Sequence, residues 1–123
     1  MNEVEEKKIS EIEVYDYKGK DYKTAMRFES WRVAYLNHGD TFNMGKLPKI
    51  ERPMLSDEAF ILLEGEAILY IGKQLDEIKM EPFKIYNVPK GVWHNIKVTE
   101  GTRTLIIENE DTSKDNTEYI YFD

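Results

Sequence analysis

Residues 57–72 read Asp57-Glu-Ala-Phe-Ile-Leu-Leu-Glu-Gly-Glu66 and continue as Ala67-Ile-Leu-Tyr-Ile-Gly72. Two runs rich in β-forming residues, 59–63 and 67–71, flank the short segment Glu64-Gly65-Glu66. Glycine adopts backbone conformations that other residues resist, and two strand-length runs separated by such a segment are typical of a turn between paired strands. The pattern therefore predicts a β-hairpin centred on Gly65.

Two polar residues stand at the borders of predicted strands. Glu58 directly precedes the first run, and Pro89-Lys-Gly-Val-Trp-His94 forms a predicted tight turn that leads His94 into a strand over residues 94–98. A carboxylate and an imidazole on facing walls of one cavity could bind a polar ligand or exchange a proton with it. Whether Glu58 and His94 share a cavity is the question on which a functional interpretation depends.

The remaining chain is dominated by short runs of strand length, separated by Gly, Pro and polar turn residues. Residues 1–10 are charged and are interpreted as a lead, either a frayed helix or disordered, while 11–123 form the folded domain. Segment 41–53 is predicted to be a loop or an edge element, and 109–118 a solvated loop. Strands are predicted at 11–15 and 22–28, paired with each other, and at 31–36, 76–80, 84–88, 103–108 and 119–122. Many short strands at close spacing predict a single all-β domain, a sandwich or a barrel.

Composition excludes several functional classes. The 123 residues carry 17 basic and 24 acidic side chains, a net charge of −7, which disfavours nucleic acid and anionic membranes as partners. The chain has no cysteine, so disulfides, thiolate metal sites and cysteine nucleophiles are absent. No apolar run approaches the roughly 20 residues of a membrane-spanning helix. The charged opening segment does not fit a signal peptide, and the cytoplasm is the expected location.

Two motifs resemble those of the cupin superfamily, small β-barrels of jelly-roll type. The first cupin motif, G-x5-H-x-H-x3,4-E-x6-G, is matched by Gly45, Glu58 and Gly65. The second, G-x5-P-x-G-x2-H-x3-N, is matched by Pro89, Gly91 and His94. The resemblance covers residues 31–108 and implies a cupin-like jelly-roll barrel.

The resemblance also implies a metal site, but two of its ligands, the histidines of the first motif, are missing here. Cupins that bind metal use the two histidines and the glutamate of the first motif and the histidine of the second. Here the first two positions are Glu51 and Pro53, or Arg52 and Met54 with the shorter spacer, so Glu58 and His94 alone match the ligand set. Transition metals need three or four well-placed donors, so we expect no tightly bound metal. A set made of Glu51, Glu58 and His94 remains an alternative.

Other side chains are candidates for ligand contacts or for a subunit interface. Arg52 could bind an anion if it turned inward from its loop, although a surface position is the simpler expectation. Aromatic rings offer flat apolar faces for a sugar or a ring, and the candidates for the cavity wall are Phe60, Tyr70, Trp93 and Tyr35. Cupin-like barrels frequently pair through their sheets, so a homodimer is expected, with Trp31 and the tail 119–122 as its contacts.

Three functions from different classes follow. The first is a barrel without a tightly bound metal that binds a small polar metabolite, of sugar or carboxylate type, through Glu58, His94 and neighbouring side chains. The second is an enzyme of isomerase, lyase or dioxygenase type, using a metal on Glu51, Glu58 and His94 or acid–base chemistry without one. The third is a structural module whose barrel is filled by side chains. No nucleophile motif or phosphate-binding glycine loop adds a further class.

Overall fold

A computed structural model describes residues 3–123, which form twelve β-strands and one short 3₁₀-helix. In chain order these are β1 (Glu5–Ile9), β2 (Ile12–Asp16), β3 (Asp21–Phe28), β4 (Trp31–Asn37), β5 (Lys49–Pro53), β6 (Glu58–Glu64), β7 (Ala67–Ile71), β8 (Asp76–Lys79), β9 (Ile85–Val88), β10 (His94–Val98), β11 (Arg103–Asn109), the 3₁₀-helix (Lys114–Asn116) and β12 (Thr117–Tyr121).

Ten of these strands form two five-stranded sheets. Sheet I has the order β12-β5-β10-β7-β8 and sheet II the order β3-β4-β11-β6-β9, with antiparallel pairing of neighbouring strands throughout. The sheets face each other across a core of apolar side chains, among them Leu36, Phe60, Leu62, Leu69, Ile96 and Ile106. Their edges are not joined by backbone pairing, so the barrel consists of two facing sheets, as in jelly rolls. The all-β, single-domain fold predicted from the sequence is confirmed.

The central stretch forms both predicted strands but not the predicted hairpin. Strand β6 pairs with β11 and β9 in sheet II, whereas β7 pairs with β10 and β8 in sheet I. The segment Glu64-Gly65-Glu66 therefore carries the chain from one sheet to the other. Gly65 has a φ of +91° and lies against Thr102, where an added Cβ would stand 2.2 Å from the threonine Oγ1. The glycine is required by this close contact between two connecting segments.

Three further expectations need correction. Residues Glu5–Ile9 of the supposed helical or disordered lead form strand β1, which pairs with β2, so β2 does not pair with β3. The segment 41–53, interpreted as irregular, contains strand β5, which carries Glu51 between β10 and β12. The polar loop after residue 109 contains the 3₁₀-helix and the first residues of β12. Among the described residues, no helix has the length and apolar character needed to cross a membrane.

Candidate functional site

A cavity of about 320 Å³ opens between the two sheets. Its walls come from strands of both sheets, and its rim includes residues that follow β11, among them Thr112, Ser113 and Lys114. The polar side chains that line it include Tyr22, Arg32, Glu51, Glu58, His94 and Glu108. The barrel is therefore not filled by side chains, which removes the packed interior that the third hypothesis assumed. A structural role itself stays a prediction. The volume lies at the lower end of the range for ligand pockets.

Glu58 and His94 meet inside this cavity. Glu58 begins β6 in sheet II, His94 begins β10 in sheet I, and the distance from His94 Nε2 to Glu58 Oε1 is 2.8 Å. Both residues are buried, with exposed fractions of 6% and 3%. The ring of Phe60 stands edge-on to the imidazole, 5.7 Å between centroids. The side chains thus share one cavity, as the functional interpretation required, while their role in binding stays a prediction.

The hydrogen bonds of His94 define how many protons the pair holds. His94 Nδ1 lies 2.9 Å from the carbonyl oxygen of Val92, which can only accept, so Nδ1 carries a proton. The short contact between Nε2 and Glu58 then needs one more proton, held either as imidazolium and carboxylate or as imidazole and carboxylic acid. Burial alone would lower the pKa of His94, but the hydrogen bond and the charge of Glu58 outweigh it and raise that pKa. The pair therefore holds one exchangeable proton.

Glu51 is the third candidate that lines the cavity. Its Cα is the register partner of His94 between β5 and β10. Its carboxylate makes no hydrogen bond to any residue in 3–123, and its nearest cation is Lys49, with 3.9 Å between Nζ and Oε1. Burial and the neighbouring charge of Glu58 raise its pKa. Glu51 thus presents free acceptor oxygens to the cavity.

A second polar group on the wall was not identified from the sequence. Glu108 on β11 is the register partner of Glu58 on β6, so two buried carboxylates stand directly opposite each other. The Tyr22 hydroxyl donates to Glu108 Oε2 at 2.9 Å and accepts from Arg32 Nε at 3.1 Å. Burial, together with the charge of Glu58, raises the pKa of Glu108 to about 7. Burial and the charge of Glu108 likewise raise the pKa of Tyr22.

The sequence did contain a signal for these residues. Alternation in a strand places Glu108 on the same face as Thr104 and Ile106, which are buried, and Arg32 on the same face as Ala34 and Leu36. A charged residue on an inward face needs a partner or a function. Tyr22 carries no comparable signal, because tyrosine is common at both buried and exposed strand positions.

Three of the proposed ligand contacts lie elsewhere. Arg52 follows Glu51 on β5, so its side chain points to the opposite face, where Nε donates to Glu118 Oε1 at 2.8 Å. Its guanidinium stacks on Trp93, with Cζ 4.6 Å from the ring centroid. Tyr70 is buried in a separate cluster with Leu47 on the outer face of sheet I. Tyr70, Trp93 and Tyr35 therefore do not line the cavity, and Arg52 takes the surface position that was the simpler expectation.

The donor set does not fit a metal ion of the kind that the family resemblance implies. Within residues 3–123, no group of three or more His, Cys, Asp or Glu side chains is arranged to hold one. Both ring nitrogens of His94 are already occupied, by Glu58 and by the Val92 carbonyl. Coordination by His94 would require one of these contacts to break, so we derive no step through a metal.

Solved structures with a similar fold are numerous. Streptomyces PAC13, described as a unique nucleoside dehydratase, has a TM-score of 0.65 at 7% identity over 97% of this chain and 86% of its own. A cupin-2 domain-containing protein from Shewanella frigidimarina has a TM-score of 0.56 at 19% identity over 76% of this chain and 85% of its own. KdgF from a Halomonas species has a TM-score of 0.60 at 10% identity, covering 76% and 80% of the two chains. No protein-family model and no curated protein matches the sequence. At these identities the likeness concerns the fold alone.

Proposed function

We propose that this chain, which has the cupin fold, binds a small polar metabolite in its cavity without a tightly bound metal. Glu58, His94 and Glu51 are the proposed contacts, and Phe60 supplies an apolar surface beside them. The observation that carries the proposal is the cavity itself, with a volume of about 320 Å³. The buried Glu58–His94 pair faces into it, and so does Glu51, whose carboxylate has no hydrogen bond to the described residues.

The placement of Glu51 favours a ligand over a purely structural role. Glu51 lines the cavity, is half-buried, and has no hydrogen-bond partner in residues 3–123. Its oxygens are not sealed in the core, so a donor group of a ligand can reach them from the cavity. The structurally similar PAC13 has been solved with uridine, itself a small polar molecule, which is consistent with the proposal.

Acid–base catalysis without a metal is the second candidate, and one arrangement favours it. The cavity contains two adjacent proton-bearing groups, the Glu58–His94 pair and Glu108 with its Tyr22 donor. A residue that gives a proton and another that takes one, at different positions around a ligand, would suit an isomerisation or an elimination. The dioxygenase type and the metal set of Glu51, Glu58 and His94 gain no support from this arrangement.

The binding proposal is tested with a metabolite panel. Thermal shift of the wild-type protein identifies ligands, and ¹H–¹⁵N NMR titration then measures their affinity and their site. We expect Glu58→Gln and His94→Asn each to weaken binding at least about tenfold, the effect of roughly one lost hydrogen bond to a charged group. Glu64→Gln is the matched control, since Glu64 ends the same strand in an exposed position.

Two results would count against the proposal. One is a ligand that binds wild type, Glu58→Gln and His94→Asn with equal affinity, which would place binding elsewhere. The other is a set of amide shifts confined to surfaces away from β5, β6, β10 and β11. Folding of each variant is checked by its NMR spectrum, so that loss of binding is not confused with loss of structure.

A further inference from the structure

We propose that the cavity selects an uncharged, hydroxyl-bearing ligand and discriminates against anions. This inference rests on the proposed binding function and narrows it, because the sequence left sugar-type and carboxylate-type metabolites equally open. It depends on three features of the cavity wall: the number of carboxylates, the commitment of the nearby cations, and the balance of free hydrogen-bond acceptors and donors.

Carboxylates are the most numerous charged side chains of the lining. Glu51, Glu58 and Glu108 all line the cavity, and they come from three different strands, β5, β6 and β11. Each pair of these residues is close enough for the charge on one to influence the protonation of another. A ligand carboxylate or phosphate entering this space would meet like charges at short range, where repulsion is only weakly screened.

The cations of the wall are already engaged. The guanidinium of Arg32 donates to the Glu110 carbonyl at 2.9 Å, to the Thr112 carbonyl at 3.0 Å and to the Tyr22 hydroxyl at 3.1 Å, and it lies 3.4 Å from Glu108. A guanidinium has five N–H donors, so little capacity remains for a ligand anion. These contacts fix the guanidinium of Arg32 beside Tyr22 and Glu108.

The other basic groups offer no substitute. His94 directs one ring nitrogen to Glu58 and the other to Val92. Arg52 lies on the outer face of sheet I with Glu118. Lys114 lies on the exposed rim of the cavity, where its charge is shared with solvent. Lys49 stands beside the cavity and not in its lining, with Nζ 3.9 Å from Glu51 Oε1 and 4.6 Å from the centroid of the Tyr119 ring. Among the described residues that line the cavity, the interior therefore lacks a cation with free donors.

The carboxylates of the wall offer free acceptors, and the hydroxyl of Tyr119, which can donate or accept, also lines the cavity. Neither oxygen of Glu51 is hydrogen-bonded within residues 3–123, and Glu58 uses one oxygen, Oε1, for His94. A ligand that satisfies these oxygens must donate, as hydroxyl groups do. Each carboxylate of the wall already has a basic neighbour: His94 for Glu58, Arg32 for Glu108 and Lys49 for Glu51. The wall therefore does not demand a cationic ligand, and the apolar side chains of Phe42 and Phe60 suit the face of a ring.

Matched ligands that differ in charge test this inference. The probes are glucose, glucuronate and glucosamine, the corresponding galactose set, and uridine with uridine 5′-monophosphate, measured by NMR titration at pH 7.5. We expect an uncharged member to bind, and its acid or phosphate to bind at least about tenfold more weakly, given the size of one unscreened repulsion near a protein surface. We expect Glu51→Gln to reduce this ratio at least about threefold, and the control Glu64→Gln to leave it unchanged.

The outcomes separate this inference from the function on which it rests. Binding of an acid as tight as that of its uncharged partner, lost in Glu58→Gln, would leave the proposed binding function standing and overturn the selectivity. Tenfold tighter binding of an amino sugar would overturn it as well. If no member of any set perturbs the cavity amides, the proposed binding function itself is wrong and the inference falls with it.

Discussion

At the scale of single residues, the most unusual feature is a pair of carboxylates on neighbouring strands. Glu58 and Glu108 are register partners, and like charges directly opposite each other destabilise a sheet. The surroundings offset this cost on each side separately. Glu58 has the imidazole of His94, and Glu108 has the hydroxyl of Tyr22 with Arg32 behind it. Two buried acids with different partners are a common arrangement where one must give a proton and the other must hold a charge.

Glu108→Gln tests the cost of this arrangement through pH. The pKa of Glu108 is about 7 in the folded protein against an ordinary 4.5, so folding takes up a proton between these values. Stability therefore falls as pH rises through this window, by up to about 3 kcal/mol in total. The variant lacks this titration. We therefore expect the free energy of unfolding of Glu108→Gln, relative to that of the wild type, to rise by up to about 3 kcal/mol from pH 4.5 to pH 8.

Urea denaturation across this pH range measures the difference. Glu64→Gln is the control, because it removes an exposed carboxylate from β6, and we expect no comparable change with pH. A difference between wild type and Glu108→Gln that stays constant from pH 4.5 to pH 8 would contradict the prediction. So would a variant that loses stability relative to the wild type as pH rises.

The site could be predicted from the sequence in part. Glu58 and His94 stood at strand borders in a recognisable motif, and both reach the cavity. Arg52 lies outward, as was the simpler expectation, because its neighbour Glu51 occupies the inward position. Strand β5 itself was hidden by Pro48 before it and Pro53 at its end. Sequence periodicity assigns a side chain to one of two faces, but it does not say which face is inside when both carry mixed residues.

At the scale of elements, strands were predictable and their partners were not. The runs 59–63 and 67–71 are both strands, yet they belong to different sheets. A strand-turn-strand pattern is the same for a hairpin and for a corner between two sheets, since local propensity does not depend on which distant strand supplies the hydrogen bonds. The contact that requires a glycine at this corner is with Thr102, 37 residues after Gly65 in the chain. No local sequence pattern predicts a contact at that separation.

Substitution of Gly65 tests this corner. Gly65→Ala places a Cβ 2.2 Å from Thr102 Oγ1 and 2.5 Å from its Cα, at a φ of +91°. We expect the variant to lose about 3 kcal/mol, from left-handed strain and from overlap with backbone atoms that cannot easily move. Gly101→Ala is the matched control, because its φ is +83° but no atom lies within 4 Å of the added Cβ. We expect that variant to lose about 1 kcal/mol.

Urea denaturation of the two variants separates strain from overlap. The difference between them reports the contact with Thr102, since both substitutions impose a similar backbone strain. Equal losses for Gly65→Ala and Gly101→Ala would mean that the corner does not depend on this close approach.

At the scale of the whole molecule, the outer faces of the two sheets differ. The outer face of sheet I is partly covered by a second apolar cluster built around Leu47, Ile50 and Tyr70, against which Phe122 of the tail packs. The outer face of sheet II is covered at one end only, where Tyr17 is buried against the ring of Tyr35 and its carbonyl accepts from Asn37. Several of its apolar side chains are exposed, including Phe28, Trp31, Ile85 and Ile107. The two contacts predicted for a dimer, Trp31 and the tail, therefore lie on different sheets.

The uncovered apolar part of this face makes sheet II the better candidate for the proposed homodimer. Ile107 lies on its central strand β11, beside Val33 and Ala59 on the neighbouring strands, and is 37% exposed. Phe28 and Trp31, with ring centroids 6.3 Å apart, extend the apolar surface towards the edge. Contiguous exposed apolar surface of this kind marks interfaces, and aromatic residues are enriched at their cores. We therefore expect two copies to pair through this face.

Ile107→Lys tests the pairing, because a lysine buried at the centre of a symmetric interface would bring two like charges together without partners. We expect a dimer in sedimentation equilibrium for the wild type and at least about a hundredfold weaker association for the variant, the result of losing two apolar contacts and desolvating two charges. Tyr121→Lys is the control, since Tyr121 is an exposed aromatic residue on the last strand of sheet I. A wild-type protein that is monomeric at millimolar concentration would refute the dimer. Dissociation by Tyr121→Lys but not by Ile107→Lys would instead assign the interface to the tail.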